Sequence, residues 1–323
     1  MRPLPLLTLL TLIVIAALLA ALTLGSLNLD PAAVVKSLTG SGDPLTDSVL
    51  FELRLPRALA ALAVGALLAL AGVQMQVLLG NPLADPYVLG VSGGAAVGAL
   101  FAIMLGMAPW LQNGAALFGA FASMVLVFGL ARGRGVWSPA RLLLTGVVLA
   151  SGWGALISFL LAVAPEAQLR GMLFWLMGDL ASAERPWSAL LILAVSLLIT
   201  LPLARSLNLL ARGELQAGVL GVDVAPLRFK LFLIASLMTA TAVTVGGTIA
   251  FIGLVVPHLL RLLGARDHRL LLPAAALLGG AMLLIADTLA RTLIAPQQLP
   301  VGVLTALLGV PLFLFLLQRS NRT

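Results

Sequence analysis

"DSVLFELRLPRALAALAVGALLALAG", residues 47–72, decides what kind of chain this is. Arg54 and Arg57 flank Pro56, and an uncharged apolar run starts directly after them. Carried on to Leu79, that run reaches the about 20 residues needed to cross a bilayer as a helix. Arginine beside such a segment ordinarily marks the cytoplasmic side. Whether these two obey that rule depends on the topology of the whole chain.

Of the 323 residues, 61% are apolar and 10% are charged, whereas a soluble domain carries about 25% charged residues. So apolar a chain cannot cover a water-facing surface, and it reads as an integral membrane protein. The net charge of +7 raises the question of nucleic acid. Lys36 and Lys230 are the only lysines, so nearly all the positive charge is arginine scattered between apolar runs. That pattern is a topology signal and implies no nucleic-acid partner. Cysteine is absent, which excludes thiolate metal sites and disulfides. At the N-terminus, the uncharged run from Pro3 to Asn28 is longer than the roughly 7–15 residues of a signal-peptide core. It reads as an uncleaved first helix.

The length criterion predicts an all-α polytopic protein of about ten spans in a single domain, residues 1–323. The spans fall near 6–25, 58–79, 87–107, 114–131, 141–163, 187–204, 228–245, 248–263, 270–291 and 301–317. With both termini cytoplasmic, Arg2, Arg132, Arg134, Arg141, Arg205, Arg212, Arg228, Lys230, Arg261, Arg266, Arg269, Arg319 and Arg322 lie inside. Lys36, Arg54, Arg57, Arg170, Arg185 and Arg291 lie outside. The excess inside favours this orientation. Arg54 and Arg57 are then on the outer side, against the usual placement.

No GxxxxGK[ST] motif is present, so the chain does not hydrolyse ATP through a P-loop. His258 and His268 lack the companions a metal site needs, and packed or capping roles are expected of them. Gly90, Gly94 and Gly98 recur every four residues, a ridge suited to close helix packing. Ser151, Ala155 and Ser158 share one face of the fifth span, with Gly154 beside them. That face suits either helix packing or the lining of a wide aqueous path. Asp287 is the one carboxylate well inside a span, which makes it a candidate proton carrier. Arg291 follows four residues later on the same face, so a local ion pair is the favoured reading. Arg54, Arg57 and Arg291 together form an outer set suited to an acidic partner. Inside, "RSLNLLARGELQAGVLGVDVAPLRFK" (205–230) is the longest internal loop, and its Leu and Val residues suggest a short helix against a cytoplasmic partner.

Six ordered motifs carry a resemblance: "RLPRALAALAVGALLALAGVQMQ" (54–76), "NPLADPYVLGVSGGAAVGA" (81–99), "GELQAGVLG" (213–221), "GGTIAFIGLVVPHLLRLLGARDHRLLLP" (246–273), "ADTLAR" (286–291) and "LPVGVLTALLGVPLFLFLL" (299–317). The chain resembles the FecCD-type permeases, the membrane subunits of bacterial ABC importers for ferric siderophores, haem and cobalamin. The cobalamin permeases are the nearest in appearance. The resemblance implies a type II importer fold in the bacterial inner membrane and no cofactor. It also implies three protein partners: two copies of a cytoplasmic ATPase, a periplasmic substrate-binding protein, and a second permease subunit, expected to be a homodimer partner. Arg54, Arg57 and Arg291 match the arginines that receive glutamates of the binding protein. Gly213, Glu214, Ala217, Gly218 and Gly221, within a segment near 205–225, match the coupling element that seats in the ATPase. Asn81, Leu83, Ser138 and Pro139 match gate segments, and Ser151 and Ser158 are the expected lining of the path. The implied function is inward movement of a metal chelate driven by a partner's ATP. A proton-coupled secondary transporter using Asp287 is the alternative.

Overall fold

The computed structural model describes residues 3–25, 29–132, 138–181, 183 and 186–320, and all regular structure among them is helical. Arg2, Arg134, Arg185 and Arg322 of the topology count lie outside the described residues. The first helix is α1 (Pro3–Thr23). Two short helices follow, α2 (Pro31–Leu38) and α3 (Pro44–Ser48), each opened by an aspartate whose side chain accepts from the first turn. Asp43 takes both the amide and the hydroxyl of Thr46, which holds its carboxyl below the usual aspartate range. A π turn over Val49–Arg54 joins α3 to α4 (Leu55–Leu78), where Pro56 sits in the first turn, which tolerates its missing N–H.

Helix α4 is the axis of the fold. Its apolar window is 89% buried, although a helix of this composition would ordinarily face lipid. Alanine and glycine make that possible, because lipid offers no hydrophobic drive and association depends on close backbone approach. A Cβ on Gly65 would stand 2.2 Å from the Gly279 carbonyl oxygen, and one on Gly72 would stand 1.9 Å from that of Gly253.

A 3₁₀ turn at Pro86–Leu89 leads to α5 (Val91–Met104), which lies along α6 (Pro109–Arg132). Gly94 and Gly98 of the predicted ridge meet the Gly119 and Ala115 carbonyls of α6, and Gly90 caps α5 at φ 70°. Next come α7 (Pro139–Val163), α8 (Glu166–Met177), α9 (Trp187–Thr200), α10 (Ala204–Leu210) and α11 (Glu214–Val219). The chain ends with α12 (Val224–Gly246), α13 (Ile252–Leu262), α14 (His268–Thr292) and α15 (Val301–Ser320). Helices α12, α13 and α14 surround α4.

Each of the ten predicted spans holds a helix, but among the described residues six helices are long and apolar enough to cross a bilayer unaided. Helices α9 and α10 together make a seventh, bent by 68° at Leu201–Leu203. Helices α5 and α13 are short. Helix α8 has no counterpart among the predicted spans, because Glu166, Gln168 and Arg170 interrupt its hydropathy.

The eighth predicted span differs most from expectation. Its first part, up to residue 251, is not helical, and only 252–262 is. Non-helical backbone at this depth must find partners inside the protein, since lipid supplies none. Tyr87 supplies two: its hydroxyl donates to the Ile249 carbonyl and accepts from the Ile249 amide, both at 3.0 Å. The Thr248 hydroxyl donates to the Leu176 carbonyl at the end of α8. Tyr87→Phe strands both Ile249 groups, a loss of about 1–3 kcal/mol by the usual cost of an unmade buried hydrogen bond. A lower unfolding temperature in detergent checks this.

Candidate functional site

The bundle has two polar ends. Helices α4 and α14 run antiparallel, so Arg57 and Arg291 meet at one end while Gln76 and His268 lie at the other. The carbonyls of α1's last turn also reach the arginine end.

At that end Asp287 is fully buried between two cations. Arg57 Nε donates to both carboxylate oxygens at 3.0 Å, and its Nη2 reaches Oδ1 at 2.9 Å. Arg291 Nε lies 3.2 Å from Oδ2, the i,i+4 contact. Arg57 Nη1 also donates to Gln298 Oε1 at 2.7 Å, and Asp179 stands 3.9 Å away. Arg54 caps α1, donating to the Leu22 and Thr23 carbonyls at 2.7 and 2.9 Å. Arg291 Nη2 donates to Ala21 at 3.2 Å.

These contacts leave little of the three side chains exposed. Arg54, Arg57 and Arg291 are 5%, 8% and 6% exposed, and each is turned into the protein. Sequence reasoning locates the charge but not its burial. It also pairs Asp287 with Arg291 alone, because Arg57 lies 230 positions away. What remains at this end is two guanidiniums on one fully buried carboxylate, with Asp179 at the edge and Arg54 on the carbonyls of α1.

At the opposite end, α11 is held from beneath and bare above. Gly213, at φ 117°, starts it and Gly221, at φ 85°, follows it, both in conformations that favour glycine. Glu214 pairs with Arg228 in the first turns of α12, and Ala217 is buried. Leu215 and Val219 are 89% and 87% exposed, and Gly218 faces open space. Helix α10 carries a second joint. Asn208 Nδ2 donates to Asp267 Oδ1 at 2.7 Å, and Asn208 Oδ1 accepts from the His268 amide at 2.9 Å. With the Arg269 amide, the Asn208 bond holds the Asp267 carboxyl below its ordinary range. Deeper in the bundle, Arg261 donates to Gln76 and Gln74 Nε2 donates to Thr200 at 3.1 Å.

The candidate gate residues occupy this same end. Asn81 accepts from the Leu83 amide at 2.9 Å, a local turn, and Leu83 is exposed. Ser138 caps α7 by accepting from Arg141, with Pro139 following in the first turn. Ser151 and Ser158 lie on an exposed face of α7, each hydroxyl returned to the carbonyl four residues back. Only 11% of α7's apolar window is buried within this chain. Among the described residues no cluster of His, Cys, Asp or Glu forms a metal site. His268 sits against Asn208, and His258 lies edge-on to Phe313.

The sequence profile of the FecCD transport family matches residues 12–319. The chain belongs to this family. It is 43% identical over 318 residues to the hemin transport system permease protein HmuU of Yersinia pestis, covering 94% of each chain. It is 39% identical over 315 residues to the vitamin B12 import system permease protein BtuC of Vibrio vulnificus, covering 96% of this chain and 94% of that one. A solved structure described as a metal-chelate type ABC transporter in an inward-facing conformation superposes with a TM-score of 0.86. The two are 34% identical, with 97% of this chain and 98% of that one covered. The FecCD chain described here is thus a polytopic membrane permease of the ABC-importer kind, a transport component whose power comes from another chain.

Proposed function

We propose that this FecCD permease moves a metal chelate inward across the bacterial inner membrane, with both termini and α11 on the cytoplasmic side. The observation that carries this reading is α11: a short helix whose Leu215 and Val219 are bare while Glu214 and Ala217 tie it down. Exposed leucine and valine beyond the membrane spans call for a protein partner. A pair of ATPase subunits is the partner that would move such a helix. The arginine excess predicted at this end agrees with a cytoplasmic placement.

A second copy of the chain fits the exposed α7. Its Ser151–Ser158 face would then line a shared path whose hydroxyls are already satisfied within the helix. Such a wall grips a bulky ligand weakly and lets it leave. Asn81, Leu83, Ser138 and Pro139 lie where an inner gate is required.

At the outer end the arginine cluster would receive acidic side chains of a binding protein. Its buried geometry implies attraction through excess charge, weakened by salt, rather than through freely projecting guanidiniums. The two named relatives take hemin and vitamin B12. Both are large metal macrocycles, and we assign the same ligand class here, with ferric siderophores as the competing class. Uptake by the reconstituted complex, with labelled haem, cobalamin and a ferric hydroxamate in competition, tests this. One macrocycle should displace the others, and preference for the hydroxamate would overturn the assignment.

The secondary-transporter reading asks Asp287 to gain and lose a proton. The geometry gives Asp287 a structural part instead: it is fully buried and ion-paired with both Arg57 and Arg291.

A further inference from the structure

Arg228 is buried to 6% exposure in the first turns of α12, and its Nε has no hydrogen-bond partner. Its ion-pair partner among the described residues is Glu214, which opens α11 and is itself half-exposed. A buried guanidinium with a single carboxylate is costly as architecture alone, since an apolar pair would pack as well. Its directional value is different. Glycines with positive φ stand on both sides of α11, and Ala217 anchors it by packing. The ion pair is the directional contact between α11 and α12.

We propose that Glu214–Arg228 is the joint that transmits movement of α11 into α12, and through α12 into the central helix α4. Glu214 and Arg228 are positioning residues for transport. The proposal rests on α11 being the element the ATPase moves. Helix α12 packs along α4, so displacement of its first turns reaches the axis of the bundle. The Asn208–Asp267 bond is a parallel connection from α10 to α14, so neighbouring segments reach α4 through two of the helices around it. Neither pair is visible as a motif, because the partners lie on different helices.

The chain has no cysteine, so two engineered ones can be labelled selectively. Spin labels at Gln216→Cys on α11 and Leu237→Cys on α12 report the separation of the two helices in nanodiscs with the ATPase. Between nucleotide-free and nucleotide-trapped states the separation should stay within about 2 Å, the scale of a small helix shift. Glu214→Gln should broaden the distance distribution and lower the ligand transported per ATP hydrolysed several-fold. The reversed pair, Glu214→Arg with Arg228→Glu, should restore both, which a merely destabilised protein would not do. A change of about 5 Å, one helical turn, in the unsubstituted pair would overturn the joint. So would unchanged separation and unchanged transport per ATP in Glu214→Gln. If the unsubstituted complex takes up nothing with ATP, the transport reading falls, and the Glu214→Gln distance distribution still decides whether the pair binds α11 to α12.

Discussion

Replacing Asp287 with alanine is expected to destabilise the protein by roughly 3–5 kcal/mol, the range for removing one partner from a buried ion pair. The carboxylate is fully buried and pairs with both Arg57 and Arg291. Without it, Arg57 keeps Gln298 and the more distant Asp179, and Arg291 keeps the Ala21 carbonyl and the Thr288 hydroxyl. Little folded protein should reach the membrane, and what does should unfold at a markedly lower temperature in detergent. Asp287→Asn keeps the shape but not the charge and should suffer nearly as much. Adding Arg57→Gln to Asp287→Asn should recover part of the loss, because it removes one of the two unpaired charges. A proton carrier behaves otherwise: Asp287→Asn would then be stable and inactive. Thermal unfolding of the three variants separates the two roles.

The second large effect is expected at the other end. Leu215→Asp with Val219→Asp places two charges on the bare face of α11 without touching Glu214, Ala217 or any core contact. At roughly 2 kcal/mol for each lost interface anchor, binding of the ATPase should weaken on the order of a thousandfold. The variant should fold normally, since both residues are already exposed. Loss of ATPase co-purification with an unchanged unfolding temperature is the expected pair of results. Retention of the ATPase would mean that α11 is not the seat.

Much of this architecture is readable from hydropathy, because length and apolarity are enough to find α4, α6, α7, α12 and α14. The same measure misreads 248–251, where apolar residues are irregular rather than helical. Hydropathy carries no information about backbone shape, and the sign that could have been used is the Gly246–Gly247 pair followed by Pro257. Helix α8 is invisible for the opposite reason: its polar residues suppress the signal although it packs along α5. The candidate site divides in a similar way. Arg291 and Asp287 are found together because they are one helical turn apart, whereas Arg57 joins them only through the packing of α4 on α14. Glu214 and Arg228 belong to adjacent helices but are not in a fixed helical register, so spacing rules do not link them. Burial decides what the arginines do, and a single sequence does not report burial.

On the function proposed above, ATP hydrolysed by a partner drives inward transport through this chain. Uptake into proteoliposomes holding the permease and its ATPase, with the loaded binding protein outside, tests it most directly. ATP enclosed without a proton gradient should drive accumulation of a labelled metal chelate, and a gradient without ATP should drive none. Accumulation under the gradient alone would rule out ATP-driven import and return Asp287 to the role of proton carrier.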